Sequence, residues 1–203
     1  ISPSYADAYN NLAGVFLDQK KYDKAIKYFQ KAIQIKPNLS EAYYNLGNTL
    51  SAIEKYDEAI INYNQAIKIK PSYAKAYNNL GNIYKKINDL EKAIRSYEKT
   101  IEIDNSYLET YNKLAILYCD IGRVDHARKC YTKLLKLKPD NILYKINSAL
   151  LLTPVYKSTE EMDLHRIKFI EGLDTLKNYK YSTDKPGSEI ELNFYYLAYH
   201  NKD

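Results

Sequence analysis

The sequence predicts an all-α fold: a right-handed α-solenoid of four helical hairpins followed by C-terminal capping helices. Glycine and proline number only six each among 203 residues, which is few for a protein of many strands and turns. Pro37, Pro71 and Pro139 are separated by one and then two periods of 34 residues. Within each period, apolar residues recur at the spacing of one helical face. Together these observations indicate a tandem array of helices.

The period divides the sequence into four units, residues 6–39, 40–73, 74–107 and 108–141. The first predicted helix of each unit opens with an aromatic anchor: Tyr9, Tyr43, Tyr77 and Tyr111. A leucine follows three residues later, then a small residue, then a second large apolar residue. The second predicted helix carries a small–aromatic–small pattern, such as Ala25, Phe29 and Ala32. Small residues at fixed positions let two helix backbones approach closely, so each unit is predicted to be a packed hairpin.

This order of residues resembles the tetratricopeptide repeat over Ala6 to Asn141. The departures are Asn105 in place of proline, and Thr100 and Leu134 in place of alanine. The resemblance implies that the hairpins stack into a solenoid, because one hairpin cannot bury its own apolar face. It also implies a concave groove that is lined by the first helices and that binds another polypeptide.

Asparagine recurs at the positions that this resemblance assigns to the groove. The predicted groove residues are Asn11, Asn45, Asn79 and Lys113 two places after the anchors, Asn10, Asn78 and Asn112 one place after them, and Asn48 and Asn82 five places after them. Asparagine is mediocre inside helices, so its recurrence needs a reason. A carboxamide both donates and accepts hydrogen bonds. It can therefore hold a main-chain peptide unit of a bound chain, whatever side chain that bound residue carries. The alternatives are a composition bias or hydrogen bonds between repeats.

The predicted affinity of this groove is low. A neutral hydrogen bond contributes roughly 0.5–1.5 kcal/mol, whereas even millimolar affinity needs about 4 kcal/mol. A carboxylate clamp, in which basic residues grip a peptide C-terminus, is disfavoured. Its positions would be occupied by Asn10, Gly14, Asn45, Lys75 and Asn79, of which only Lys75 is basic.

The segment after the repeats is predicted to form a degenerate fifth unit and a capping helix over residues 142–179. Ser158 to Glu161 gives a capping-box signal for the start of that helix. Residues 180–203 are predicted to be a linker and the start of a further domain. The run from Ile142 to Asp203 resembles the junction between repeats and catalytic region in bacterial relatives of protein O-linked N-acetylglucosamine transferases. That resemblance implies a substrate-recruiting region of a glycosyltransferase; the alternative is a free-standing scaffold.

No catalytic residue, cofactor or metal site is predicted in the sequence. Its histidines, His126, His165 and His200, lie far apart and belong to no metal-binding motif. No glycine-rich phosphate loop and no nucleophile elbow occurs. The sequence therefore favours an interaction module over an enzyme with its own active site.

The charge pattern limits the classes of partner that the sequence predicts, and the cysteine content indicates the cellular compartment. The net charge is +5, but the lysines are dispersed among acidic and apolar residues, which indicates a solvated face rather than a nucleic-acid site. RNA binding stays a weaker alternative, and the formation of a homodimer is left open by the sequence.

The most apolar run, Ala149 to Leu152, is too short for a membrane span. Cys119 and Cys130 are interpreted as a reduced pair, which predicts a cytoplasmic protein. Because Ile1 is not methionine, we expect a longer parent protein.

Overall fold

The computed structural model describes residues 4–149, together with Leu151 and Ile167. These residues form helices and turns and contain no strand, so the predicted all-α class is confirmed. The helices are α1 (Ser4–Asp18), α2 (Tyr22–Ile35), α3 (Ser40–Ala52), α4 (Tyr56–Ile69), α5 (Ala74–Lys86), α6 (Leu90–Ile103), α7 (Leu108–Asp120), α8 (Val124–Leu137) and α9 (Ile142–Ala149).

The helices follow one another as hairpins. Three residues separate the two helices of a pair, and four residues separate one pair from the next. By its contacts the chain divides into two compact units, Ile1–Thr110 and Tyr111–Asp203, with the boundary inside α7. In the first unit α1 packs on α2, α3 on α4 and α5 on α6, while α3 also contacts α2 and α5 also contacts α4. Each hairpin in that unit is therefore stacked on its neighbour.

Each first helix is followed, two positions after its last residue, by a residue in the left-handed conformation. Lys20, Glu54, Asn88 and Gly122 have φ values of 56°, 61°, 62° and 73°. The residue after each donates its backbone N–H to a carbonyl five residues earlier, as from Lys21 to Phe16 at 2.8 Å. This is the Schellman arrangement, which satisfies the last carbonyls of a helix and reverses the chain. It fixes the turn of every hairpin.

The core is built around the aromatic residue of each second helix. Phe29, Tyr63, Tyr97 and Tyr131 are all at most 2% exposed. In the first unit, Leu46, Leu50 and Leu80 join the same buried cluster. A Cβ atom added to Gly47 would lie 2.7 Å from the Tyr63 ring, and one added to Gly81 would lie 2.5 Å from the Tyr97 ring. The glycines are therefore required by the close approach of the paired helices.

The predicted fifth unit is described only at its start. Helix α9 packs on α8, with Ile146 buried. Ile167 is helical and 53% exposed. The predicted capping box at Ser158–Glu161, the rest of the helix to residue 179 and the predicted linker 180–203 lie outside the described residues.

Neither Cys119 nor Cys130 forms a disulfide, and both are buried. Burial, together with the neighbouring Asp120 and Cys130, raises the pKa of the Cys119 thiol to about 12. Only the thiolate is nucleophilic, so a thiol with this pKa is about 10⁻⁴ ionised at pH 8. We expect Cys119 in the folded protein to resist iodoacetamide at pH 8 and to react promptly in guanidinium chloride, as followed by mass spectrometry. Equal labelling rates in the two conditions would contradict this assignment.

Candidate functional site

The first helices of the first unit carry seven of the predicted groove residues. We call this set the asparagine surface: Asn10 and Asn11 on α1, Asn45 and Asn48 on α3, and Asn78, Asn79 and Asn82 on α5. On α3, Leu46, Gly47 and Leu50 are buried in the core and so fix the helix that carries Asn45 and Asn48. The surface is therefore positioned by the same periodicity that forms the hairpins.

Two of these asparagines satisfy buried tyrosine hydroxyls. The Tyr63 hydroxyl donates to Asn48 Oδ1 at 2.7 Å, and the Tyr97 hydroxyl donates to Asn82 Oδ1 at 2.9 Å. A buried hydroxyl without a partner would be costly, so an acceptor at this place is needed whenever the core aromatic is tyrosine. Asn48 and Asn82 therefore recur for a structural reason, which differs from the binding role predicted for them.

The first and fourth hairpins are consistent with this need for an acceptor beside a core tyrosine. The first has Phe29, which carries no hydroxyl, and Gly14 stands where the others have asparagine. The fourth has Tyr131 but Ile116 at the acceptor position, and there the Tyr131 side chain is hydrogen-bonded by Asn147 instead. The signal was present in the sequence as a tyrosine fifteen residues after an asparagine.

Other asparagines link one hairpin to the next. Asn45 Nδ2 donates to Asn10 Oδ1 at 3.2 Å, and Asn79 Nδ2 donates to Asn48 Oδ1 at 2.8 Å. Asn78 Oδ1 accepts from the Thr110 hydroxyl at 2.8 Å. Asn10 is only 5% exposed, so its side chain belongs to the contact between hairpins rather than to an open surface.

Hydrogen-bonding capacity remains at the position two residues after the anchors. Asn11 is exposed and makes no side-chain hydrogen bond within the described part of the chain. Asn45 is half-buried, and its Oδ1 and one of its N–H groups take part in no hydrogen bond among the described residues. Asn79 is half-buried and more fully engaged, since its Oδ1 also accepts from Asn78 at 3.3 Å. Available capacity therefore decreases from Asn11 to Asn79.

An aromatic cluster lies beside Asn79. The Tyr44 ring is 4.9 Å from the Tyr73 ring and 5.9 Å from the Tyr63 ring, and Asn79 Nδ2 donates to the Tyr44 hydroxyl at 3.3 Å. Burial, with Tyr44 and Glu41 close by, raises the pKa of Tyr73 to about 12, so this phenol stays protonated. Tyr73 was not among the predicted groove residues. The sequence nevertheless carries a repeated signal there, because a tyrosine stands immediately before a first helix both at Tyr73 and at Tyr107.

The two remaining predicted residues belong to the second unit. Asn112 and Lys113 lie on α7, and both are half-buried. The buried Oδ1 of Asn112 has no hydrogen-bond partner among the residues that the structure describes. Lys113 is engaged in an interaction and is not a free cation.

Within residues 4–149, no three His, Cys, Asp or Glu side chains are grouped as a metal site would require. His126 packs its ring against Tyr118, with centroids 5.0 Å apart. His165 and His200 lie outside the described residues. None of the described helices combines the length and apolar character that crossing a bilayer demands.

Protein-family profiles match most of the repeat region. A family profile described as tetratricopeptide repeat matches residues 4–72, and two other profiles with the same description match residues 74–107 and 108–141. No curated protein matches the sequence. The profile matches end at the last predicted hairpin.

Several solved structures share the fold. The MamA protein is 22% identical with a TM-score of 0.68, covering 89% of this chain and 98% of that one. YrrB, described as a TPR protein with an unusual peptide-binding site, is 20% identical with a TM-score of 0.65, covering 82% and 81%. The first TPR of Spaghetti (RPAP3), bound to the HSP90 peptide SRMEEVD, is 24% identical with a TM-score of 0.57, covering 60% and 96%. These likenesses support the predicted solenoid.

Proposed function

Because the chain belongs to the tetratricopeptide repeat family, we propose that it is a protein-interaction module whose asparagine surface binds an extended polypeptide. The observation that carries this proposal is the repeated position two residues after each anchor. Asn11 and Asn45 keep free hydrogen-bonding groups there, and Asn79 holds the same position on α5. One carboxamide per hairpin can contact successive parts of a guest main chain.

The bonds between hairpins support binding by holding two of these carboxamides in place. Asn10 fixes Asn45, while Asn48 and the Tyr44 hydroxyl fix Asn79. A side chain that is already ordered loses less conformational entropy when a ligand binds. The internal hydrogen bonds therefore lower the cost of binding, although they also consume part of the capacity of Asn79.

The proposed interaction is weak and tolerant of sequence. Each neutral hydrogen bond contributes roughly 0.5–1.5 kcal/mol, so three carboxamides provide only a few kcal/mol. The half-buried rings of Tyr44 and Tyr73 offer apolar contact to guest side chains without selecting one of them. A partner should therefore be recognised mainly through its main chain.

The test starts from unstructured peptides selected on the immobilised chain by phage display. We expect replacement of Asn11, Asn45 and Asn79 together by alanine to weaken binding of a selected peptide at least tenfold, roughly the loss of 1.4 kcal/mol. N-methylation of single backbone amides in the peptide should also weaken binding, whereas alanine substitution of its side chains should change it little. Isothermal titration calorimetry measures all three effects.

A matched control replaces three exposed asparagines that lie off the first helices, Asn38, Asn64 and Asn105, by alanine. Binding should then be unchanged. The single Asn11→Ala change separates binding from folding, because Asn11 makes no internal hydrogen bond among the described residues and its loss should leave the thermal midpoint unaltered. Unchanged affinity in the triple variant, or dependence on a free peptide carboxylate, would reject the proposal.

Two kinds of protein are candidates for containing this module. One is the substrate-recruiting region of a protein O-GlcNAc transferase-like glycosyltransferase, which rests on the resemblance of the run from Ile142 to Asp203. The other is a free-standing scaffold, which the profile matches to the repeats fit equally well. Reading the natural transcript after the Asp203 codon separates them. Several hundred codons of alternating strand and helix would favour the transferase, and an immediate stop codon would favour the scaffold.

A further inference from the structure

One face of α1 is exposed although the equivalent face of every later first helix is buried. Leu12 is 40% exposed, whereas its equivalents Leu46, Leu80 and Leu114 are 5%, 3% and 1% exposed. Val15 is 50% exposed, whereas its equivalents Thr49, Ile83 and Leu117 are 0%, 1% and 0% exposed. With Tyr5 and Ala8, which are also exposed, these residues form a stripe that we call the N-terminal stacking face.

The first unit shows what covers this face elsewhere. Helix α3 packs on α2, and α5 packs on α4, so the second helix of one hairpin covers the first helix of the next. The stripe of Tyr5, Ala8, Leu12 and Val15 has the helical spacing of such an interface. An exposed apolar stripe that continues over several turns of one helix marks an interaction site. The element expected to cover this face is therefore the second helix of another hairpin.

A second copy of this chain is the competing occupant. Three of its second helices, α2, α4 and α8, already pack on the helix that follows them, α3, α5 and α9. Contact between two α1 helices would join only four side chains from each copy. Stable interfaces bury about 800 Å² on each partner, which needs roughly 20–30 residues a side.

The sequence before α1 indicates a different occupant. Ile1 stands 34 residues before Ile35, the last residue of α2, and Pro3 stands 34 residues before Pro37. Ser2 and Pro3 then correspond to Lys36 and Pro37, the first two of the four residues that link α2 and α3. In sequence, therefore, the residues ahead of α1 match the end of a second helix and its link.

We propose that the N-terminal stacking face is covered by one more hairpin of the same repeat, contributed by the polypeptide segment that ends in Ile1–Pro3. The second helix of that hairpin lies on Tyr5, Ala8, Leu12 and Val15 as α2 lies on α3. By the register of Ala25, Phe29 and Ala32, it carries small residues three and ten places before Ile1 and an aromatic residue six places before it. This interface is separate from the asparagine surface.

The first test reads the natural transcript upstream of the Ile1 codon. We expect an aromatic residue and two small residues at the stated places. Absence of that pattern would overturn the proposal.

The second test measures whether the face becomes covered. Val15→Cys and Leu12→Cys variants are prepared in the 203-residue chain and in the same chain carrying its natural 34 preceding residues. Cys119 and Cys130 are buried and give a low background. The preceding residues should slow maleimide labelling of either introduced cysteine about tenfold or more, because a group in a packed interface reacts only when the structure opens.

The matched control is Ile61→Cys, at a residue of α4 that is 67% exposed. Its labelling rate should be the same in both chains. Equal rates for Val15→Cys in the two chains would overturn the proposal. Labelling of Val15→Cys that slows with rising concentration of the 203-residue chain would also overturn it, because a second copy would then be the occupant.

Discussion

Replacement of Tyr63 by alanine is expected to lower the free energy of unfolding by about 3–5 kcal/mol, the usual cost of removing a large aromatic from a core. Tyr63 is 1% exposed, and its ring lies against Gly47 and near Tyr44. The change also removes the hydroxyl that donates to Asn48 at 2.7 Å. The thermal midpoint should fall by roughly 10 °C for a chain of this length.

Urea denaturation followed by circular dichroism measures this loss. Tyr63→Phe separates the hydroxyl from the ring and should cost only about 0.5–1.5 kcal/mol, because one hydrogen bond is lost while the core stays filled. Ile61→Ala on the same helix is the matched control and should have little effect, since Ile61 is exposed. A loss of less than about 1 kcal/mol for Tyr63→Ala would contradict the packing described here.

Replacement of Gly81 by alanine is expected to destabilise the chain by about 1–2 kcal/mol. Inserting a methyl group into a filled core costs about 1–3 kcal/mol, and the better helix propensity of alanine returns up to about 1 kcal/mol. The new Cβ would lie 2.5 Å from the ring of Tyr97. That ring is buried and is held by its hydrogen bond to Asn82, so it cannot move aside without further loss.

Gly14 is the matched control for this prediction. It occupies a first helix as Gly81 does, but a Cβ added there would meet no atom within 4 Å. Gly14→Ala should therefore stabilise the chain by about 0.5–1 kcal/mol, through helix propensity alone. Differential scanning calorimetry of both variants should show midpoints displaced in opposite directions. A shift of the same sign in both would reject the assigned role of Gly81.

The fold was predictable because its information is local and repeated. Anchors, small residues and prolines recur once per unit, so each hairpin gives an independent reading of the same pattern. The exposure of Leu12 was not predictable from that pattern. Its burial depends on a preceding second helix, whereas Leu46 has α2 beside it.

The candidate site was predictable in position but only partly in role. The sequence located the asparagines on first helices, yet it could not show that Asn48 and Asn82 serve tyrosine hydroxyls or that Asn10 is buried against Asn45. Those roles depend on which side chains meet between helices, and this requires coordinates. The interpretation of Asn11, Asn45 and Asn79 as a peptide ladder stays a prediction.

The left-handed residues that follow the first helices have a consequence for how the array can change over time. The same backbone conformation is held by lysine, glutamate, asparagine and glycine in turn, although only glycine and asparagine adopt it readily. Helix packing, not the identity of the turn residue, therefore dictates the reversal. A unit copied by gene duplication would keep its geometry while these corners accumulate substitutions, each altering stability by only about 1–2 kcal/mol.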